Sequence, residues 1–84
     1  MPSAEALVTG GGRGIGANIA RALAAAGMHV TVTGRTAEQV EAVAAEIGGR
    51  ALVGDVSCRE DVQRWADETG GVDLLVCNAG INGP

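Results

Sequence analysis

Short apolar runs alternate with amphipathic stretches along this chain, and glycines separate them. Ala6-Leu7-Val8 is a brief apolar run ending at Thr9-Gly10, the pattern of a buried parallel strand. From Ile15 to Ala26 the apolar positions Ile15, Ile19, Leu23 and Ala26 follow helical spacing. Asn18 and Arg21 fall on the opposite face, and Gly27 supplies a stop. Val30-Thr31-Val32-Thr33 is β-branched throughout and predicts a second strand.

The second half repeats the alternation. Thr36-Ala37-Glu38-Gln39 has the form of a capping box, followed by Val40, Val43, Ala44 and Ile47 on one helical face and a stop at Gly48-Gly49. Ala51-Leu52-Val53 predicts a third strand. Ser57-Cys58-Arg59-Glu60 is a second capping box, opening a helix with Val62, Trp65 and Ala66 on one face and a Glu60–Arg64 pair four residues apart. Gly70-Gly71 closes that helix, and Leu74-Leu75-Val76 predicts a fourth strand. The order is therefore β-α-β-α-β-α-β with short connections and no linker or repeat. This order predicts an α/β fold with a parallel sheet and right-handed crossovers.

Between the first strand and the first helix lies Thr9-Gly10-Gly11-Gly12-Arg13-Gly14-Ile15-Gly16. Glycines at 10, 14 and 16 remove Cβ atoms where a strand must turn sharply into a helix. Bare N–H groups can then approach an anion, and the helix N-terminus adds its positive dipole end. A dinucleotide pyrophosphate has these requirements, and the strand–turn–helix context is the right one.

The spacing, with Thr9 ahead of it, resembles the Thr-Gly-x-x-x-Gly-x-Gly motif of short-chain dehydrogenases/reductases. Gly34-Arg35 after the second strand, Asp55-Val56 after the third and Asn78-Ala79-Gly80 after the fourth match that family in order. Cys77 stands where Asn often precedes the last triplet. The resemblance covers the N-terminal portion of a family member. It implies a partial Rossmann-type parallel sheet in strand order 3-2-1-4, with residues 1–84 as the incomplete N-terminal part of an NAD(P)-binding domain.

The resemblance also implies a cofactor site. Gly10, Arg13, Gly14, Ile15 and Gly16 form the phosphate turn. The residue matching Asp55 meets the adenine amino group and the following backbone, at Val56, meets the ring. Asn78, Ala79 and Gly80 lie against the adenosine ribose. NAD-specific proteins usually place an acid after the second strand to hold the ribose 2′-OH, whereas here Gly34, Arg35 and Thr36 follow it. A carboxylate would repel a 2′-phosphate by up to about 4 kcal/mol at an effective dielectric near 20, and a guanidinium would attract it. Arg35, with Arg13 as a second positive charge, therefore favours NADP(H) over NAD(H). The competing readings are solvated arginines, and for Asp55 a turn or helix cap before Ser57.

Composition narrows the function further. The 84 residues allow one small domain burying roughly 60–65% of its unfolded surface, so marginal stability is expected. Net charge is −4, and the 6 cationic residues are all Arg, spread along the chain with no basic cluster for nucleic acid. Cys58 and Cys77 make neither a disulfide framework nor a zinc spacing. No leader or membrane-length apolar run occurs, which gives a cytoplasmic expectation without membrane contact. Trp65 is expected in the core and His29 in solvent.

By resemblance, such enzymes reduce carbonyls or oxidise alcohols on small molecules, and the whole protein is expected to be a homo-oligomer. Hydride moves at the nicotinamide, a Tyr activated by a Lys exchanges the proton, and a Ser positions substrate. This chain has neither Tyr nor Lys, and its only serines are Ser3 and Ser57. It is therefore expected to be a fragment carrying the cofactor half, with no catalytic residues and negligible turnover. The tail Asn82-Gly83-Pro84 is expected to end in mid-loop, and the fourth strand's outer edge to be open and aggregation-prone.

Two alternatives compete. One is a non-catalytic nucleotide-binding module. The other is a methyltransferase, since Gly12-Arg13-Gly14-Ile15-Gly16 also satisfies Gly-x-Gly-x-Gly, although the acid such enzymes carry after the second strand is missing. A P-loop NTPase is excluded by the absence of Lys.

Overall fold

The computed structural model describes residues 4–10 and 14–77. Its elements run β1 (Glu5–Thr9), α1 (Gly14–Ala25), β2 (His29–Gly34), α2 (Ala37–Ile47), β3 (Arg50–Val53), α3 (Arg59–Thr69) and β4 (Leu74–Cys77). The strands form one parallel sheet in the order β3-β2-β1-β4. This is the expected partial Rossmann-type α/β arrangement.

Register divides the strand residues into two faces. Val8 pairs with Val32 and Val76, and Val32 with Ala51. On that face Ala6, Val8, Val30 and Val32 pack with Ala17 and Ala20 of α1 and with Val40, Val43 and Ala44 of α2. Burying this aliphatic set supplies the main driving force, at roughly 25 cal/mol per Å² of apolar surface removed from water. Leu7, Thr9, Thr31 and Thr33 point to the other face, where they are buried as well.

The chain steps from β1 to β2 to β3 in one direction, then reverses across the sheet to β4. With right-handed crossovers, that reversal puts α3 on the face opposite α1 and α2. Trp65 lies outside the aliphatic cluster, with only 1% of its surface exposed, and is the one buried residue of α3. The core assignment for Trp65 therefore holds. Val62 and Ala66, expected beside it, are exposed.

Three local expectations are corrected. Ile15 is 58% exposed, and α1 buries Gly16, Ala17 and Ala20 instead. Small residues let the start of the helix lie close to the sheet, so the buried stripe is turned away from Ile15, with Ile19 and Leu23 at its margin. Neither capping box forms. Thr36 is the N-cap of α2 but makes no side-chain cap bond, and α3 is capped at Cys58 rather than Ser57. Arg64 pairs with Asp61, three residues back, instead of Glu60.

Candidate functional site

All four parallel strands end at the same edge of the sheet, and the segments singled out in the sequence follow those ends. Thr9 pairs in register with Thr33 and with Cys77, and Gly34 pairs with Val53. The end of β1, the start of α1, the β2–α2 turn and the β3–α3 turn are thus gathered at the carboxyl edge. In open α/β sheets, ligands bind at this edge.

At the end of β1, Thr9 is buried and its hydroxyl donates to the Val76 carbonyl at 3.3 Å, tying β1 to β4. Gly10 and Gly14 have φ of 69° and 61°, left-handed values that a side chain disfavours. Gly14 and Ile15 are exposed in the first turn of α1, while Gly16 is buried beneath them. That first turn carries no acid, whereas α2 has Glu38 and α3 has Glu60 and Asp61 in theirs. The positive end of the α1 dipole is therefore left without a neighbouring carboxylate on its own first turn, as an anion site requires.

Arg35 is the first residue beyond β2 and is exposed. No acidic residue accompanies it before Glu38. Beyond β3, Asp55 forms a tight Asx-type turn in which its Oδ1 accepts the Ser57 backbone N–H at 2.9 Å and the Ser57 hydroxyl at 2.8 Å. The Asp55 carboxyl is held below its usual value. The Ser57 backbone N–H contributes most and its hydroxyl next, with the positive charge of Arg35 adding to both against the opposing effect of burial. Among the described residues, Oδ2 of Asp55 has no hydrogen-bond partner. Val56 is 40% exposed beside it.

The turn reading of Asp55 is thus real and compatible with a ligand role, because one carboxylate oxygen serves the turn and the other stays open. Arg13, Asn78, Ala79 and Gly80 lie outside the described residues. Among those described, no group of His, Cys, Asp and Glu could hold a metal ion, and no helix is long and apolar enough to cross a membrane.

His29 differs from expectation. It lies at the opposite edge of the sheet, where register pairs it with Glu5, and its Nδ1 stands 3.0 Å from Glu5 Oε1. Sequence reasoning also missed Asp61 and Arg64, which hold the backbone under Asp55. Asp61 Oδ2 accepts the Asp55 N–H at 2.8 Å, and Arg64 donates to the Val53 carbonyl at 2.6 Å. The only signal for them was a pair of opposite charges early in a helix, a common surface pattern.

Residues 4–84 match the family model described as short chain dehydrogenase. The human protein named dehydrogenase/reductase SDR family member 2, mitochondrial, is 41% identical over 86 residues, covering 92% of this chain and 31% of its own. A solved short chain dehydrogenase/reductase family protein superposes with a TM-score of 0.86 at 44% identity, over 92% of this chain and 34% of that one. The RhlG/NADP active-site complex of Pseudomonas aeruginosa gives a TM-score of 0.81 at 36% identity, over 93% of this chain and 35% of that one. The chain thus spans about a third of the length of the relatives it matches. Motifs, topology and these similarities agree: the chain belongs to the short-chain dehydrogenase/reductase family of oxidoreductases.

Proposed function

We propose that this chain is the cofactor-binding portion of an oxidoreductase acting on a small carbonyl or alcohol, and that it takes NADP(H) in preference to NAD(H). The reading rests on three features converging at one sheet edge: a helix start without acid in its first turn, Arg35 beyond β2, and an open carboxylate oxygen on Asp55. A pyrophosphate suits the first, a ribose 2′-phosphate the second and an adenine amino group the third.

In this reading Gly10, Gly14, Ile15 and Gly16 hold the pyrophosphate through backbone N–H groups. Arg35, with Arg13, holds the 2′-phosphate. Asp55 and the Val56 backbone hold adenine, and Asn78-Ala79-Gly80 line the ribose. The nicotinamide supplies the hydride chemistry when bound. What these 84 residues supply is binding and orientation. They contain no Tyr or Lys to exchange the proton, and a positioned acid/base contributes about 10²–10⁴-fold in rate.

Titration with NADPH and NADH tests this. Arg35 is exposed, so its contact with a 2′-phosphate is solvent-screened, and about a tenfold preference for NADPH is expected. Arg35→Ala should reduce that preference, the remainder resting on Arg13, and leave the NADH affinity unchanged. Equal wild-type affinities would overturn the NADP(H) assignment, and absence of saturable binding to either would overturn the site.

A further inference from the structure

The β3–α3 turn is braced from α3 by two side chains that have no part in the dinucleotide assignment. Asp61 Oδ2 accepts the Asp55 N–H at 2.8 Å, and Asp61 Oδ1 accepts from Arg64 Nη1 at 3.0 Å. Arg64 Nη2 donates to the Val53 carbonyl at 2.6 Å. One ion pair therefore grips both peptide groups that flank Gly54. Gly54 makes the approach possible, because a Cβ there would stand 2.9 Å from Asp61 Oδ2 and 2.9 Å from Trp65 Cζ2.

The brace is firm for two reasons. Trp65, one residue from Arg64, is buried and packs α3 against the turn at Gly54. Asp61 is also the more sheltered partner, with its side chain 22% exposed against 47% for Arg64. A hydrogen bond with a charged acceptor is shorter and stronger than a neutral one, so the Asp55 peptide plane is held in one orientation. Ser57 fixes Asp55 Oδ1 from the other side. The direction of the open Oδ2, and of the Val56 backbone beyond it, is then set jointly by Asp61 and Ser57.

We propose that Asp61, held by Arg64, is a positioning residue for adenine recognition, orienting the Asp55 carboxylate and the Val56 backbone toward the 6-amino edge of the base. The inference rests on the reading of Asp55 as the adenine contact. A brace that only stabilised the turn would leave base selectivity alone. A positioning residue controls it, because the carboxylate must be aimed at a donor on the base.

The experiment measures, on the full chain, dissociation constants for NADPH and for its hypoxanthine analogue, in which a carbonyl replaces the 6-amino group. The wild type should favour adenine by about tenfold or more, since the analogue sets an acceptor against a carboxylate. Asp61→Ala should weaken NADPH binding by about tenfold and leave binding of the analogue nearly unchanged. Arg64→Met, which keeps the apolar stem, should lose part of the preference in the same sense and serves if Asp61→Ala does not fold.

Variants that keep the adenine preference, whether affinity is normal or both ligands are weakened equally, overturn the positioning role and leave the adenine reading standing. A wild type without preference overturns both.

Discussion

Ser57 gives both of its donors to one oxygen of Asp55, the backbone N–H at 2.9 Å and the hydroxyl at 2.8 Å. The hydroxyl that the sequence pattern assigned to accepting a helix N–H donates to a carboxylate instead, and α3 takes Cys58 as its N-cap. The same pairing favours the ionised Asp55 and leaves its other oxygen without a hydrogen-bond partner among the described residues.

The pH dependence follows from that pairing. Asp55 is lowered from 3.8 in the folded chain, chiefly by the Ser57 N–H, so the folded state binds the Asp55 proton more weakly than the unfolded state. Its contribution to stability is complete above 3.8 and is lost as pH falls through the lower folded value. The Tm difference between wild type and Asp55→Asn should be constant above about pH 5 and shrink on further acidification. A difference that grew in acid would contradict the geometry.

Trp65 is the sole aromatic residue and the one buried side chain of α3. Trp65→Ala should cost about 3–5 kcal/mol, comparable to the whole stability of a small domain, and abolish the cooperative melt followed by far-UV circular dichroism. A melt shifted by only a few degrees would mean that α3 is not anchored there.

Among the described residues, Thr31 and Thr33 each bury a hydroxyl oxygen without a hydrogen-bond partner, on the sheet face opposite the aliphatic cluster. Replacing an unsatisfied buried hydroxyl by a methyl removes a desolvation penalty of about 1–3 kcal/mol. Thr33→Val should therefore raise the urea midpoint without changing the m-value. A lowered midpoint would show that the hydroxyl has a partner.

Ile15 should behave as a surface residue in the fold and as a site residue in binding. Being 58% exposed, Ile15→Ala should change stability by less than about 0.5 kcal/mol, whereas Ile15→Pro, which removes the backbone N–H in the first turn of α1, should weaken dinucleotide binding. Destabilisation with unchanged binding would restore Ile15 to the core.

β4 is the last strand on its side among the described residues, and its Leu74 and Leu75 are 39% and 54% exposed. Such an edge templates association. Leu75→Lys should reduce concentration-dependent light scattering, and unchanged scattering would place the association elsewhere.

The order of elements was legible because apolar runs, glycine stops and short connections mark each boundary, and the strand order was legible through the resemblance of the glycine-rich turn and strand-end motifs to a known family. The face of α1 was not, since the Ile15–Ile19–Leu23 series carries more apolar surface than Ala17 and Ala20, yet close packing against the sheet favours the small pair. The partner of His29 lies 24 residues away at Glu5 and becomes visible only once the register is known. Of the candidate site, Gly10, Gly14, Gly16, Arg35 and Asp55 could be singled out because each lies at or just beyond a strand end, where position is local in sequence. Asp61 was not, because its acceptor role reaches back across a turn and the sequence shows only a helical charge pair.

The most direct test of the central claim is a titration of the isotopically labelled chain with adenosine 2′,5′-bisphosphate, followed by backbone amide shifts. Binding at the carboxyl edge predicts saturable shifts concentrated at residues 10, 13–16, 35–36, 55–57 and 78–80. Shifts clustered at the opposite edge around Glu5 and His29, or none at millimolar ligand, would contradict it.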